Sequence, residues 1–154
     1  MSQPSDQEFR TFVHEVEPGL RRSLVAALGA QRGRDAAADA LAWAWENWSK
    51  VEVLDNPTGY LFRVGQSKTR SRKVPMIAPV ETWEDPLVEP ELPAALSNLT
   101  ESQRLAVVMV HAYGWTLREL AELSGTSIST VQTHLERGLS KLRDSLSIEV
   151  DRRA

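Results

Sequence analysis

Side chains able to hydrogen-bond DNA bases crowd the segment that follows Gly125. Apolar residues recur there at Ile128, Val131, Leu135, Leu139, Leu142 and Leu146, the three- and four-residue rhythm of a helix with one buried stripe. Off the stripe, after Ser127 at the start, stand Ser129, Thr130, Gln132, Thr133, Glu136, Arg137 and Lys141. A glutamine amide matches the donor and acceptor of adenine, a glutamate accepts from cytosine, and cations hold phosphate oxygens. On a helix lying in the major groove, Gln132 and Glu136 fall in the half that reaches base edges, and Lys141 lies further along, where it meets only backbone. The same outer face also suits an ordinary helical hairpin in water, with Ser129 and Gln132 forming a capping box.

A second set of residues is basic. Gly65-Gln-Ser-Lys-Thr-Arg-Ser-Arg-Lys73 contains no apolar residue and carries Lys68, Arg70, Arg72 and Lys73. A bare basic helix end can contact phosphates, or it can be the solvated, frayed end of a domain. A third set mixes an indole with carboxylates. At about 100° per residue, Asp35, Asp39, Trp43 and Glu46 gather on one side of a helix, opposite Leu41, Trp45 and Trp48. That placement predicts Trp45 and Trp48 in the core and Trp43 outside it, a partner-binding anchor ringed by charge.

Catalysis finds little to build on. Asp35 and Asp39 have the i,i+4 spacing that can coordinate magnesium. With no nucleophile, glycine-rich phosphate loop or third ligand alongside, they read as a solvated pair. His14, His111 and His134 fall on separate helices without ligand spacing, and the chain has no cysteine. No catalytic residue, metal site or cofactor is therefore expected.

The elements that must position these groups are helical. Phe9, Phe12, Val13, Val16, Leu20, Leu24 and Leu28 make one stripe, which Pro18 either kinks or divides into a helix pair. An alanine-rich helix over 35–50 follows. Asn56-Pro57 is an N-cap with a first-turn proline, and Tyr60, Leu61 and Val64 anchor the helix behind it. Thr100 with Gln103, and Thr116 with Glu119, match the capping box, while Gly114 and Gly125 sit where helices end in a left-handed residue. Helices over about 101–113, 116–124 and 128–146 result. The last two, with the turn Ser124-Gly-Thr-Ser127 between them, make a helix-turn-helix in which small Ala121 permits the crossing and Val131 fills it. Residues 77–93 hold four prolines and five carboxylates without periodicity, the mark of an extended, solvated linker. The expected fold is all-α, with two small helical domains at 1–75 and 93–154 joined by a Pro- and acid-rich linker at 76–92.

The chain of 154 residues is 42% apolar and 25% charged, which excludes disordered and fibrous classes. Its net charge of −3 conceals a segregation: five basic and no acidic residues over 60–75, then six acidic and no basic ones over 76–101. A non-specific nucleic-acid binder would be basic throughout, so DNA contact must be local. No apolar run approaches the ~20 residues of a membrane helix, and Met1-Ser-Gln-Pro-Ser-Asp6 lacks signal-peptide character. A cytoplasmic protein without membrane insertion is expected.

Three motifs carry a family resemblance. Leu99-Thr-Glu-Ser-Gln-Arg104, Gly114-Trp-Thr-Leu-Arg-Glu-Leu-Ala-Glu-Leu-Ser-Gly125 and Ser129-Thr-Val-Gln-Thr-His-Leu-Glu-Arg-Gly138 resemble the fourth domain of RNA polymerase sigma factors of the extracytoplasmic-function type. Asp35-Ala-Ala-Ala-Asp-Ala-Leu-Ala-Trp-Ala-Trp45 and Asn56-Pro-Thr-Gly-Tyr-Leu-Phe-Arg-Val64 resemble the second. The resemblance covers about residues 8–146. It implies a non-catalytic protein that binds core RNA polymerase and promoter DNA, with an anti-sigma factor as a further partner. By family position, Asp35, Asp39, Trp43 and Glu46 would meet the polymerase. The loop 49–56 and the helix behind it, with Asp55, Asn56, Arg63, Gln66 and the four basic residues, would meet the minus-ten element, and the recognition helix the minus-thirty-five element. The other function open to such a sequence is a stand-alone helix-turn-helix regulator that binds operators as a dimer.

Overall fold

The computed structural model describes residues 3–70 and 92–153, with side chains through Thr69 and from Leu92 to Leu146. Among these residues every regular element is helical. Two compact units can be distinguished. One is built from the first four helices and includes Glu122–Gly125; the other holds the remainder of the C-terminal helices.

In the first unit, α1 runs unbroken over Asp6–Leu28, with Pro18 inside it, so the single-helix alternative holds. Ser5 starts it through a reciprocal capping box with Glu8. Hydrogen bonds from the Ser5 backbone N–H and hydroxyl hold the Glu8 carboxyl below its ordinary range. After Gly29, whose φ of +94° turns the chain, come α2 (Ala30–Glu46), α3 (Trp48–Val51) and α4 (Pro57–Arg70). The Asn56 side chain caps α4 by accepting from the Gly59 N–H at 3.0 Å. Helix α2 packs against both α1 and α4.

The core face of α2 differs from the expected one. Buried along it are Gly33, Ala36, Ala37, Ala40 and Ala44, whereas Leu41 and Trp45, and Trp48 at the start of α3, are only half-buried. At about 100° per residue Leu41 and Trp45 stand roughly a quarter-turn from the alanine face, and Trp43 a quarter-turn the other way. Small residues let the helices approach: a Cβ on Gly33 would lie 2.4 Å from the Val25 Cα. Aromatic rings then close the shoulder toward α1. Phe9 meets Trp45 edge to face at 4.9 Å between centroids, and Phe12 meets Trp48 at 5.1 Å.

The second unit opens on α5 (Leu92–Ser97), which falls at the edge of the expected linker and buries Ala95 and Leu96. The proline that made Leu92-Pro93 look like linker stands in the helix's first turn, where no N–H is needed. The rest of the linker, Trp83 included, lies outside the described residues. Thr100 and Gln103 form the expected box at the start of α6 (Glu101–Val107), which widens into a π turn over Val108–Ala112. The Trp115 N–H closes that turn on the Met109 carbonyl at 2.9 Å, across Gly114 at φ +71°. Thr116 and Glu119 bond reciprocally ahead of α7 (Leu117–Ser124). Helix α8 (Ile128–Arg153) extends further than its apolar rhythm foretold. It approaches α6 closely at Gly138, where a Cβ would meet the Val107 side chain at 2.8 Å.

Candidate nucleic-acid interface

The turn between α7 and α8 is set by backbone chemistry. Gly125 takes φ +69°, and the Thr126 N–H bonds to the Ala121 carbonyl at 3.1 Å, closing α7. Leu120, Ala121 and Val131 are buried, as a helix-turn-helix crossing requires. Ile128, expected on the buried stripe, is 42% exposed instead, because it occupies the first position of α8, ahead of the crossing.

The outer face of α8 sorts its polar residues into two groups. Ser127 caps the helix by accepting from the Thr130 N–H at 3.1 Å, and its hydroxyl lies 2.8 Å from that of Thr130 and 3.1 Å from that of Ser129. The cap therefore lies at Ser127, ahead of where a Ser129–Gln132 box would place it. Thr133 donates its hydroxyl to the Ser129 carbonyl at 3.0 Å. Gln132, Glu136 and Arg137 project outward beyond these local bonds, all exposed. Gln132 and Glu136 meet each other, the amide Nε2 donating to a carboxylate oxygen at 3.2 Å. Lys141 is exposed as a residue, yet its ammonium donates to Gln103 Oε1 at 3.1 Å. Gln103 thus serves the start of α6 and the middle of α8 together.

A second candidate surface lies along α2 and α4. Trp43 is half-buried, its ring 5.6 Å from that of Tyr60 and tilted by 33°. It faces α4, and the expectation that it stands opposite the core is corrected: a shoulder position between two packed helices reaches a neighbour. Trp43 and Tyr60, with Arg63, Val64, Ser67 and Lys68, line a cavity of about 400 Å³. Tyr60 was legible only as a core anchor, although Tyr60, Arg63, Val64 and Ser67 share the spacing of one helix face. Asp35 and Glu46 are exposed, Asp39 is half-buried, and the Gln31 amide approaches Asp35 at 3.5 Å. Asp55 and Arg63 are exposed; Gln66 is half-buried. Helix α4 continues through its basic residues at least to Arg70, pinned near its end by buried Thr69 donating to the Gly65 carbonyl at 2.9 Å. Arg72 and Lys73, and the side chain of Arg70, lie outside the described residues. No cluster of three or more potential metal ligands occurs among the described residues, and no described helix is long and apolar enough to cross a membrane.

Comparison with known proteins follows the same outline. Residues 90–142 match the family model for sigma-70, region 4. Over 95% of its length the chain is similar to the ECF RNA polymerase sigma factor EcfG of Rhodopseudomonas palustris (strain TIE-1), at 24% identity, with 89% of that protein covered. Residues 90–142 of the chain therefore carry a sigma-70 region 4 domain. The fold of the chain resembles that of RpoE, solved in complex with the anti-sigma factor NepR from Bartonella quintana, with a TM-score of 0.69 and 23% identity over 92% of this chain and 98% of that one. It also resembles CnrH, solved with the cytosolic domain of CnrY, at a TM-score of 0.64 and 18% identity over 94% and 90%.

Proposed function

We propose that the chain is a sigma factor of the extracytoplasmic-function type, which binds core RNA polymerase through its first unit and directs the enzyme to promoters whose minus-thirty-five element is read by α8. The observation that carries this reading is the exposed row Gln132, Glu136 and Arg137, displayed by a helix whose buried crossing and glycine turn suit major-groove insertion. The segment 49–56, whose first residues belong to α3 and not to the expected loop, and α4 meet the minus-ten element, with Asp55, Asn56, Arg63, Gln66, Lys68, Arg70, Arg72 and Lys73 in contact with DNA. Asp35, Asp39 and Glu46 face the polymerase clamp, with half-buried Trp43 beside them on the flank toward α4. The chain contributes no catalysis of its own, acts in the cytoplasm, and is held silent by an anti-sigma factor, as the partners of its structural neighbours suggest.

An acidic chain with two small DNA readers neutralises few phosphates with either one, so promoter affinity alone is weak. Polymerase raises it by holding both readers at promoter spacing. Transcription of a genomic promoter library by core enzyme tests this. A discrete set of transcripts is expected only when the chain is added, and an unchanged transcript pool would refute it.

A further inference from the structure

The contact between Gln132 and Glu136 changes what the recognition helix can read. Read separately, the two side chains suit two bases, an adenine for the amide and a cytosine for the carboxylate. They stand four residues apart on the same exposed face and are joined at 3.2 Å from Nε2 to Oε1. An ionised carboxylate only accepts hydrogen bonds, so the edge of the amide that faces Glu136 must be its NH2. This fixes which way the glutamine is turned. Its Oε1 points away from Glu136, and the second amide hydrogen remains available beside it. That pair, one acceptor next to one donor, is complementary to the N6 donor and N7 acceptor that adenine presents in the major groove. One oxygen of Glu136, meanwhile, is already engaged, and a hydrogen bond to an ionised acceptor is the stronger kind.

The neighbouring hydroxyls offer no competing arrangement. Those of Ser127 and Thr130 are drawn into the helix cap, and that of Thr133 into a bond with the Ser129 carbonyl. The amide is therefore oriented by Glu136 within a turn of otherwise locally satisfied polar groups. We infer that Glu136 is a positioning residue for Gln132, and that the two together read one A·T base pair of the upstream promoter element. This inference rests on the promoter-reading role proposed above and narrows it.

The test is promoter-library selection with holoenzyme reconstituted from the wild type, Gln132→Ala, Glu136→Ala, Glu136→Gln and the double alanine variant. Gln132→Ala should lower discrimination at one A·T position by about 5- to 150-fold, the span expected for a bidentate pair. Glu136→Ala should relax that same position by a smaller factor, and the double variant should match Gln132→Ala alone. Glu136→Gln, whose amide oxygen still accepts, should restore most of the preference. Because Glu136→Ala removes a negative charge near phosphates, its affinity for non-specific DNA should not fall. Relaxation at a different base pair, additive effects in the double variant, or an unaltered preference in Glu136→Ala would overturn the positioning role while leaving promoter reading intact. A wild-type holoenzyme that selects no upstream element would overturn promoter reading itself, and this inference with it.

Discussion

Helices α2 and α8 are both amphipathic, and they fill their cores with different mixtures of small and branched residues. Helix α8 buries the branched residues Val131 and Leu142, keeps one small residue, Gly138, at its approach to α6, and leaves a polar outer row. Helix α2 buries glycine and alanine and sends its tryptophans to the shoulders, where they pack on α1 and α4. A helix caught between two others gains more from close backbone approach along its centre than from bulk there, and its large residues serve as side walls. On α2 the large apolar side chains therefore mark the flanks of the buried face and not its centre.

Glycine substitution gives the largest expected contrast. Gly33→Ala would place its Cβ against backbone atoms of Val25, which cannot rotate away, and should destabilise the first unit by about 3 kcal/mol or more. Gly138→Ala meets the end of the Val107 side chain and should cost only about 1–2 kcal/mol. Chemical denaturation of the full chain, with probes in each unit, would measure both. Equal costs would break the distinction between a backbone-to-backbone and a side-chain-to-backbone contact.

The tryptophans provide a smaller effect. Trp43→Ala and Trp45→Ala should each lower stability by about 1–2 kcal/mol, less than a fully buried ring would, because both are half-buried against other rings. The two are separated by polymerase affinity, which Trp43→Ala should reduce and Trp45→Ala should spare. Stability loss confined to Trp45→Ala would return Trp43 to the solvent face.

The smallest change concerns salt. Replacing Lys68 and Arg70 by glutamine should shallow the salt dependence of holoenzyme binding to promoter DNA by about 1.5 in the log–log slope, since each phosphate contact contributes roughly 0.7 to 0.9. Filter binding across a salt series reads it directly. An identical slope would make the end of α4 a solvated tail.

The boundaries of the helices were legible where the signal is local. Asn56 before Pro57, the boxes at Thr100 and Thr116, and the left-handed glycines at 114 and 125 act through bonds within a few residues, and each appears as its spacing predicts. What escaped depends on packing or on long reach. The π turn at Val108–Ala112 has no composition of its own. The short α5 is masked by its proline, and the Lys141–Gln103 bond joins residues 38 apart. The Gln132–Glu136 contact was within reach of a spacing rule for helix faces, since amide and carboxylate sit at i and i+4. Both residues were visible as DNA readers, but their dependence on each other emerges only from the side-chain geometry.

The most direct test of the central claim is to measure binding of one cognate promoter fragment to the chain alone, to core polymerase alone and to both together at the same salt concentration. Dependence on polymerase predicts tight, promoter-specific binding only for the mixture, with the chain alone binding weakly and as a monomer. Equally tight, specific binding by a dimer of the chain alone would contradict that claim and establish a stand-alone regulator in its place.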